Sequence, residues 1–239
     1  MDEGRPSLSL VVAAAGYGLR LNAGLPKQYV PLLGIPILQR TLHALGGCDQ
    51  VDAVAVVVNA EDVDYCLGEI AAEGIRKVVR VVPGGPERAI SVRNGMRALA
   101  EAGSTDLAGV HDGARPLVTC EEIGRLVDTL AGDPSLDGAI LAIPSTDTIK
   151  VVDEARLITG TPDRRSLWRA QTPQVFRWQV LMDAYDQPDE EVRGATDDSA
   201  LVESRGGRVA VVPGSPENFK ITDPTDLRHA EQVLAERHR

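Results

Sequence analysis

Six short and nearly unbroken apolar runs punctuate the chain, at residues 10–13, 53–58, 78–82, 107–110, 139–143 and 209–212. Runs of this kind read as strands buried on both faces. Between several of them the apolar spacing turns helical. Ile37, Leu38, Thr41, Leu42 and Leu45 share one face, and Ile123, Leu126, Val127 and Leu130 share another behind Thr119 and Glu122, which are spaced as a capping box. A last helix opens at Asp223-Pro224, with Asp as cap and Pro in the first turn, and turns Leu227, Ala230 and Leu234 inward. The alternation predicts the α/β class: one domain over residues 1–239, built on a doubly wound, mostly parallel sheet.

Residues 144–161 break the rhythm. β-Branched positions flank the polar turn Asp153-Glu154-Ala155-Arg156, which predicts a hairpin of 148–152 with 157–161. A two-stranded hairpin is marginal alone, so it is expected to pack against a second subunit. The acidic stretch 186–193 reads as an exposed loop.

Composition narrows the class. With 239 residues, 43% of them apolar and 25% charged, the chain can bury a full core. Its net charge of −10 argues against nucleic acid or an anionic membrane as the main partner. The N-terminus lacks a secretory pattern, and no apolar run is long enough to span a membrane. Cys48, Cys66 and Cys120 are odd in number and scattered, so neither a disulfide framework nor a zinc site is expected, and a cytoplasmic location fits.

Candidate chemistry gathers at loops that follow strands, where open α/β sheets bind ligands. Ala13, Ala14, Ala15, Gly16 and Gly18 leave the first loop's backbone bare, and Arg20 and Lys27 follow. Bare amides beside two cations suit a polyanion such as a nucleoside triphosphate. The spacing excludes a P-loop, and Leu21 occupies the third position of a dinucleotide fingerprint. A second glycine loop holds Gly84, Gly85, Pro86, Arg88 and Ser91, whose hydroxyl could bond a base or ribose. In His111-Asp112-Gly113-Ala114-Arg115-Pro116 a carboxylate at a strand end could hold Mg²⁺ or a hydroxyl while the arginine takes phosphate. Thr148 and Lys150, then Arg164 and Trp168, flank the hairpin; Gln171-Thr172-Pro173-Gln174, Thr196-Asp197-Asp198 and Asn218-Phe219-Lys220 follow. No Ser-His-Asp or Cys-His arrangement is suggested.

In order, these segments resemble the 2-C-methyl-D-erythritol 4-phosphate cytidylyltransferases: Ala-Ala-Gly-x-Gly-x-Arg, Pro-Lys-Gln-Tyr, Gly-Gly-x-x-Arg-x-x-Ser-Val, His-Asp-x-Ala-Arg-Pro, Asp-Thr-x-Lys, Arg-x-x-Leu-Trp, Gln-Thr-Pro-Gln and Lys-Ile-Thr. The resemblance implies a Rossmann-like nucleotidyltransferase with a mixed sheet of about seven strands. It also implies a homodimer formed by exchanged β-arms, here residues 144–170. The implied reaction moves a cytidylyl group from CTP to methylerythritol phosphate, with Mg²⁺ as cofactor and pyrophosphate released. By motif position, Arg20 and Lys27 would stabilise the transition state, and Arg164 and Lys220 would position the acceptor. Arg115, Thr148 and Thr172 would also contact the acceptor, with Thr148 and Arg164 coming from the partner's arm. Ala14, Ala15, Gly85 and Ser91 would read cytosine, while Gly16, Asp112 and Gly113 would lie by the ribose and the metal.

Three positions depart from the pattern. Ala13 replaces a usual proline and Leu19 a frequent basic residue, which implies weaker triphosphate contacts; Pro86 replaces a polar residue and removes a backbone donor. The alternative acceptor is ribitol 5-phosphate, but Ala114 and the segment Thr196-Asp197-Asp198-Ser199 favour methylerythritol phosphate. A nucleotide-binding regulator is opposed by retention of Arg20 and Lys27, and an NAD-dependent oxidoreductase by Leu21.

Overall fold

A computed structural model describes residues 4–16 and 26–237; Leu19, Arg20 and Leu21 lie outside the described residues. The first half runs β1 (Leu8–Ala13), β2 (Pro31–Leu32), β3 (Ile35–Pro36), α1 (Ile37–Gly46), β4 (Ala53–Val58), α2 (Val63–Ala72), β5 (Val78–Pro83), α3 (Arg88–Ala102) and β6 (Leu107–Asp112). The second half runs α4 (Cys120–Gly132), β7 (Gly138–Pro144), β8 (Val151–Val152), β9 (Ile158–Gly160), β10 (Trp168–Arg177), α5 (Trp178–Tyr185), α6 (Asp189–Arg193), α7 (Asp198–Glu203), β11 (Val209–Pro213) and α8 (Pro224–Arg237).

Seven strands form the main sheet in the order β11-β7-β10-β6-β1-β4-β5. Six coincide with the apolar runs. The seventh, β10, carries no such run and lies antiparallel to both β6 and β7. Every other pairing in this sheet is parallel. Strand alternation divides the core between the two faces. Leu8, Leu10 and Val12 of β1 pack with Leu38, Leu42 and Leu45 of α1 and Ile123, Leu126 and Leu130 of α4. Val11 points the other way, onto Val92, Met96 and Leu99 in the layer of α3. Each such side chain contributes about 1.5–3 kcal/mol on burial. A third cluster ties the β2–β3 turn, Ala114 and Leu117 to Ile221 and Leu234, anchoring α8 beside the loop after β6.

The anticipated helix starts hold. Thr119 accepts the Glu122 N–H at 3.2 Å and Glu122 accepts the Thr119 N–H at 3.0 Å, completing the capping box. Asp223 accepts the N–H groups of Thr225 and Asp226 at the start of α8.

Three expectations are corrected. Cys48 and Cys120 form a disulfide across Cα atoms 5.1 Å apart, joining the chain just after α1 to the first residue of α4. Their long separation in sequence hid a pairing that only the packing of both helices on one sheet face creates. Cys66 is the free, buried cysteine among the described residues. Residues 189–193 of the presumed acidic loop form α6, because Val192 is buried against the α3 face. The hairpin exists, but its strands are shorter than expected, β8 and β9 forming a separate two-stranded sheet. Its turn lies where the polar residues are, with Arg156 N–H donating to Asp153 O at 3.0 Å.

Candidate active site

The carboxyl ends of β1, β4, β5 and β6 surround a cavity of about 520 Å³. Residues 13–16 form one wall; Asn59, Ala60 and Glu61 after β4, and residues 84–88 after β5, form the others. Asp112 and Gly113 lie at the end of β6, and Lys27, Gln28 and Lys220 close the rim. Of the residues anticipated for the site, Ala14, Ala15, Gly16, Lys27, Gly85, Ser91, Asp112, Gly113 and Lys220 line this one space.

Close approach sets the glycine loop. A Cβ on Gly84 would come within 2.5 Å of the Ala15 Cβ and 2.8 Å of the Ser91 Oγ, so only glycine lets the two loops meet. Ser91 holds its own loop: Oγ accepts the Gly85 N–H at 3.0 Å and donates to Glu87 O at 3.0 Å.

Asp112 is the electrostatic centre. Its Oδ2 receives Arg115 Nε at 3.2 Å and Lys220 Nζ at 3.2 Å, while Arg88 Nε stands 3.7 Å from Oδ1. Burial pushes the Asp112 carboxyl up, but Lys220, Arg88 and Arg115 together hold it well below the usual carboxylate range. Oδ2 is thus committed to two cations, and Oδ1 has only a loose contact.

A buried chain of hydrogen bonds supports this carboxylate from behind. The Asp112 N–H donates to Thr172 Oγ1 at 3.0 Å, and that oxygen lies 3.0 Å from His111 Nδ1. His111 Nε2 is 3.1 Å from Arg115 O, a group that can only accept. The ring proton therefore sits on Nε2, and Nδ1 accepts from Thr172. Burial pushes the His111 pKa down to about 4, which keeps the ring neutral near pH 7. Lys220 is placed by its neighbours: Asn218 Nδ2 donates to Thr172 O at 3.0 Å, Arg115 Nη1 donates to Asn218 O at 2.8 Å, and the Ile221 N–H donates to Ala114 O at 2.9 Å.

Thr148 and Arg164 are not brought here. Both are exposed on the arm, outside the cavity lining. Arg115 and Thr172 stand directly behind the wall, in contact with Asp112. Sequence reasoning left out Asn59 and Glu61 and gave no role to Gln28 and Arg88, though both lie in quoted motifs; all four line the cavity. Arg88 could have been found, because it is the arginine of the second glycine loop.

Mg²⁺ fits the donor set. Among the described residues no group of three or more His, Cys, Asp or Glu could hold a metal. Mg²⁺ bound with a nucleotide needs only one or two carboxylates beside the phosphates, and Asp112 Oδ1 offers one.

The model of the family described as 2-C-methyl-D-erythritol 4-phosphate cytidylyltransferase, IspD, matches residues 8–236. The chain is 42% identical over 229 residues to the enzyme of that name from Geobacter metallireducens, covering 95% of this chain and 97% of the relative. It is 43% identical over 232 residues to the one from Halalkalibacterium halodurans, covering 97% and 98%. In three dimensions it resembles the 4-diphosphocytidyl-2C-methyl-D-erythritol synthase of Anaerococcus prevotii, with a TM-score of 0.83 at 28% identity, covering 98% and 97% of the two chains. The cavity and the length of these matches lead to one conclusion: the chain belongs to the 2-C-methyl-D-erythritol 4-phosphate cytidylyltransferase family.

Proposed function

We propose that the cavity at the strand ends carries out the family's reaction, transfer of a cytidylyl group from CTP to methylerythritol phosphate, with Lys27, Lys220 and Asp112 as its working side chains. The observation that carries this reading is the convergence of these three residues with the bare backbone of residues 14–16 on one space. An acceptor phosphate oxygen attacks the α-phosphorus of CTP, and pyrophosphate departs in line. Negative charge builds on the α-phosphate oxygens, so fixed cations dominate and no protein nucleophile is needed. Lys27, with Arg20 from outside the described residues, stabilises that charge. Lys220, held against Asp112, orients the acceptor phosphate. The neutral loop amides and the Gly85–Ser91 turn receive the cytosine. The Asp112 carboxylate would help hold Mg²⁺, which would supply charge neutralisation for the triphosphate.

The arm is assigned to dimerisation. Leu157 and Ile158 are each 64% exposed, and Ile149, Val151, Val152 and Trp168 are exposed beside them, an apolar surface that asks for a partner. Exchange of arms in a homodimer would bring Thr148 and Arg164 to the neighbouring cavity as further acceptor contacts. A cytoplasmic location suits a CTP-consuming enzyme, and no described helix is long and apolar enough to cross a membrane.

Incubation with CTP, Mg²⁺ and either methylerythritol 4-phosphate or ribitol 5-phosphate tests the assignment. The expected product is the CDP-methylerythritol adduct with pyrophosphate; preferential use of ribitol 5-phosphate would overturn the acceptor, and a need for Mg²⁺ is expected on chelation.

A further inference from the structure

Arg88 opens α3 at the cavity wall, yet its guanidinium is held from outside the cavity. Nη1 and Nη2 donate to the two carboxylate oxygens of Asp198 at 3.2 and 2.8 Å. Asp198 is fully buried at the start of α7, and the hydroxyl of buried Tyr185, at the end of α5, donates to its Oδ1. Helix α7 is itself fixed to β10. Gln174 Nε2 donates to Asp197 Oδ2 at 2.9 Å, and the Ser199 N–H donates to Gln174 Oε1 at 2.9 Å. Three elements therefore lock one guanidinium in a single orientation.

That orientation has a consequence in the cavity. The bidentate pair spends one N–H on each terminal nitrogen and fixes the guanidinium plane, so the Nε edge has no freedom to turn. This edge faces Asp112 Oδ1 at 3.7 Å. Oδ1 is the oxygen that Arg115 and Lys220 leave uncommitted. A buried carboxylate needing only charge compensation would be served by any cation; a guanidinium whose fork takes Asp198 while its Nε edge faces the cavity carboxylate is a more specific arrangement.

We infer that Asp198 and Tyr185 are positioning residues for cytidylyl transfer, acting through Arg88 to hold the Asp112 carboxylate in its working direction. The inference rests on the reading of Asp112 given above. It extends the site from the cavity wall to α5 and α7, and gives the Thr196-Asp197-Asp198 segment a role.

A mutant cycle tests it on the full-length protein, with melting temperature, calorimetric CTP affinity with and without Mg²⁺, and kcat/KM measured for each variant. Arg88→Met and Asp198→Asn should each lower kcat/KM by roughly tenfold, and the double variant should lose no more than the worse single one, the non-additivity expected of residues acting as a unit. Arg88→Lys keeps the charge but not the fork. It should melt near the wild type and still lose transfer rate. Tyr185→Phe removes one hydroxyl, should fold, and should show the same loss on a smaller scale, which covers the case in which Asp198→Asn fails to fold. Wild-type kcat/KM in a folded Arg88→Lys or Arg88→Met protein, or single losses that multiply in the double variant, would overturn the inference. Asp112→Asn is the separate control: full activity there would mean that Asp112 itself was misread.

Discussion

Lys220 Nζ lies 3.2 Å from Asp112 Oδ2, although more than a hundred residues separate the two in the chain. The contact depends on Asn218 and Ile221, which stitch the segment before α8 to β10 and to the loop after β6. A lone exposed lysine is ordinary; one pinned against a buried carboxylate at a cavity rim is a built element.

Replacing Lys220 by Met should therefore act on the acceptor more than on the nucleotide. The expected result is a fall of about 10²–10³ in kcat/KM for methylerythritol phosphate, with CTP affinity changed far less, read by steady-state kinetics and calorimetry. An equal loss in CTP affinity would move Lys220 to the nucleotide side.

His111 makes stability depend on pH in a defined window. Its pKa falls from 6.5 to about 4 on folding, so the native state refuses a proton that the unfolded chain accepts between those values. Its contribution is complete above about pH 6.5 and is lost as pH falls toward 4, amounting to about 3 kcal/mol. Thermal melts between pH 7.5 and 4.5 should show this decline, and His111→Gln should flatten it. Asp112, held low, contributes only below this window.

The Cys48–Cys120 bridge closes a sequence separation of 72 residues. Loop-closure entropy assigns it about 4 kcal/mol, or roughly 10 °C in melting temperature for a chain of this size. Melts with and without reductant should differ by that order, and the double variant Cys48→Ser with Cys120→Ser should not respond to reductant. The cavity side chains lie elsewhere, so transfer at 25 °C should survive reduction.

On the arm, Leu157→Asp combined with Ile158→Asp should turn the proposed dimer into a monomer by sedimentation and lower transfer with it. Arg164→Ala should leave the dimer intact and raise KM for the acceptor. Wild-type KM in that variant would remove Arg164 from the site.

Strands β1, β4, β6 and β7 were legible because they lie inside the sheet, are buried on both faces and must be apolar along their length; β5 and β11 carry similar runs at the sheet's edges, where Val79 and Val211 are exposed. Strand β10 was not legible, because Gln171, Thr172 and Gln174 leave it without an apolar run. They are buried, and Ser215 O, His111 and Asp197 accept or supply their hydrogen bonds. The glycine loops and the aspartate loop were legible for another reason: their residue types are constrained by close backbone approach and charge within short segments. Pairings across long stretches, Cys48 with Cys120 and Arg88 with Asp198, leave no local signal and appear only once the sheet brings the helices together. Short α6 was hidden because Val192 is its one buried residue.

Lys27 gives the most direct measurement of the central claim, that fixed cations around this cavity stabilise the transferring phosphorus. Single-turnover transfer from CTP to methylerythritol 4-phosphate by Lys27→Ala should be slower by about 10²–10³ while the fold and melting temperature stay near wild type. An unchanged rate in the folded variant would contradict the account.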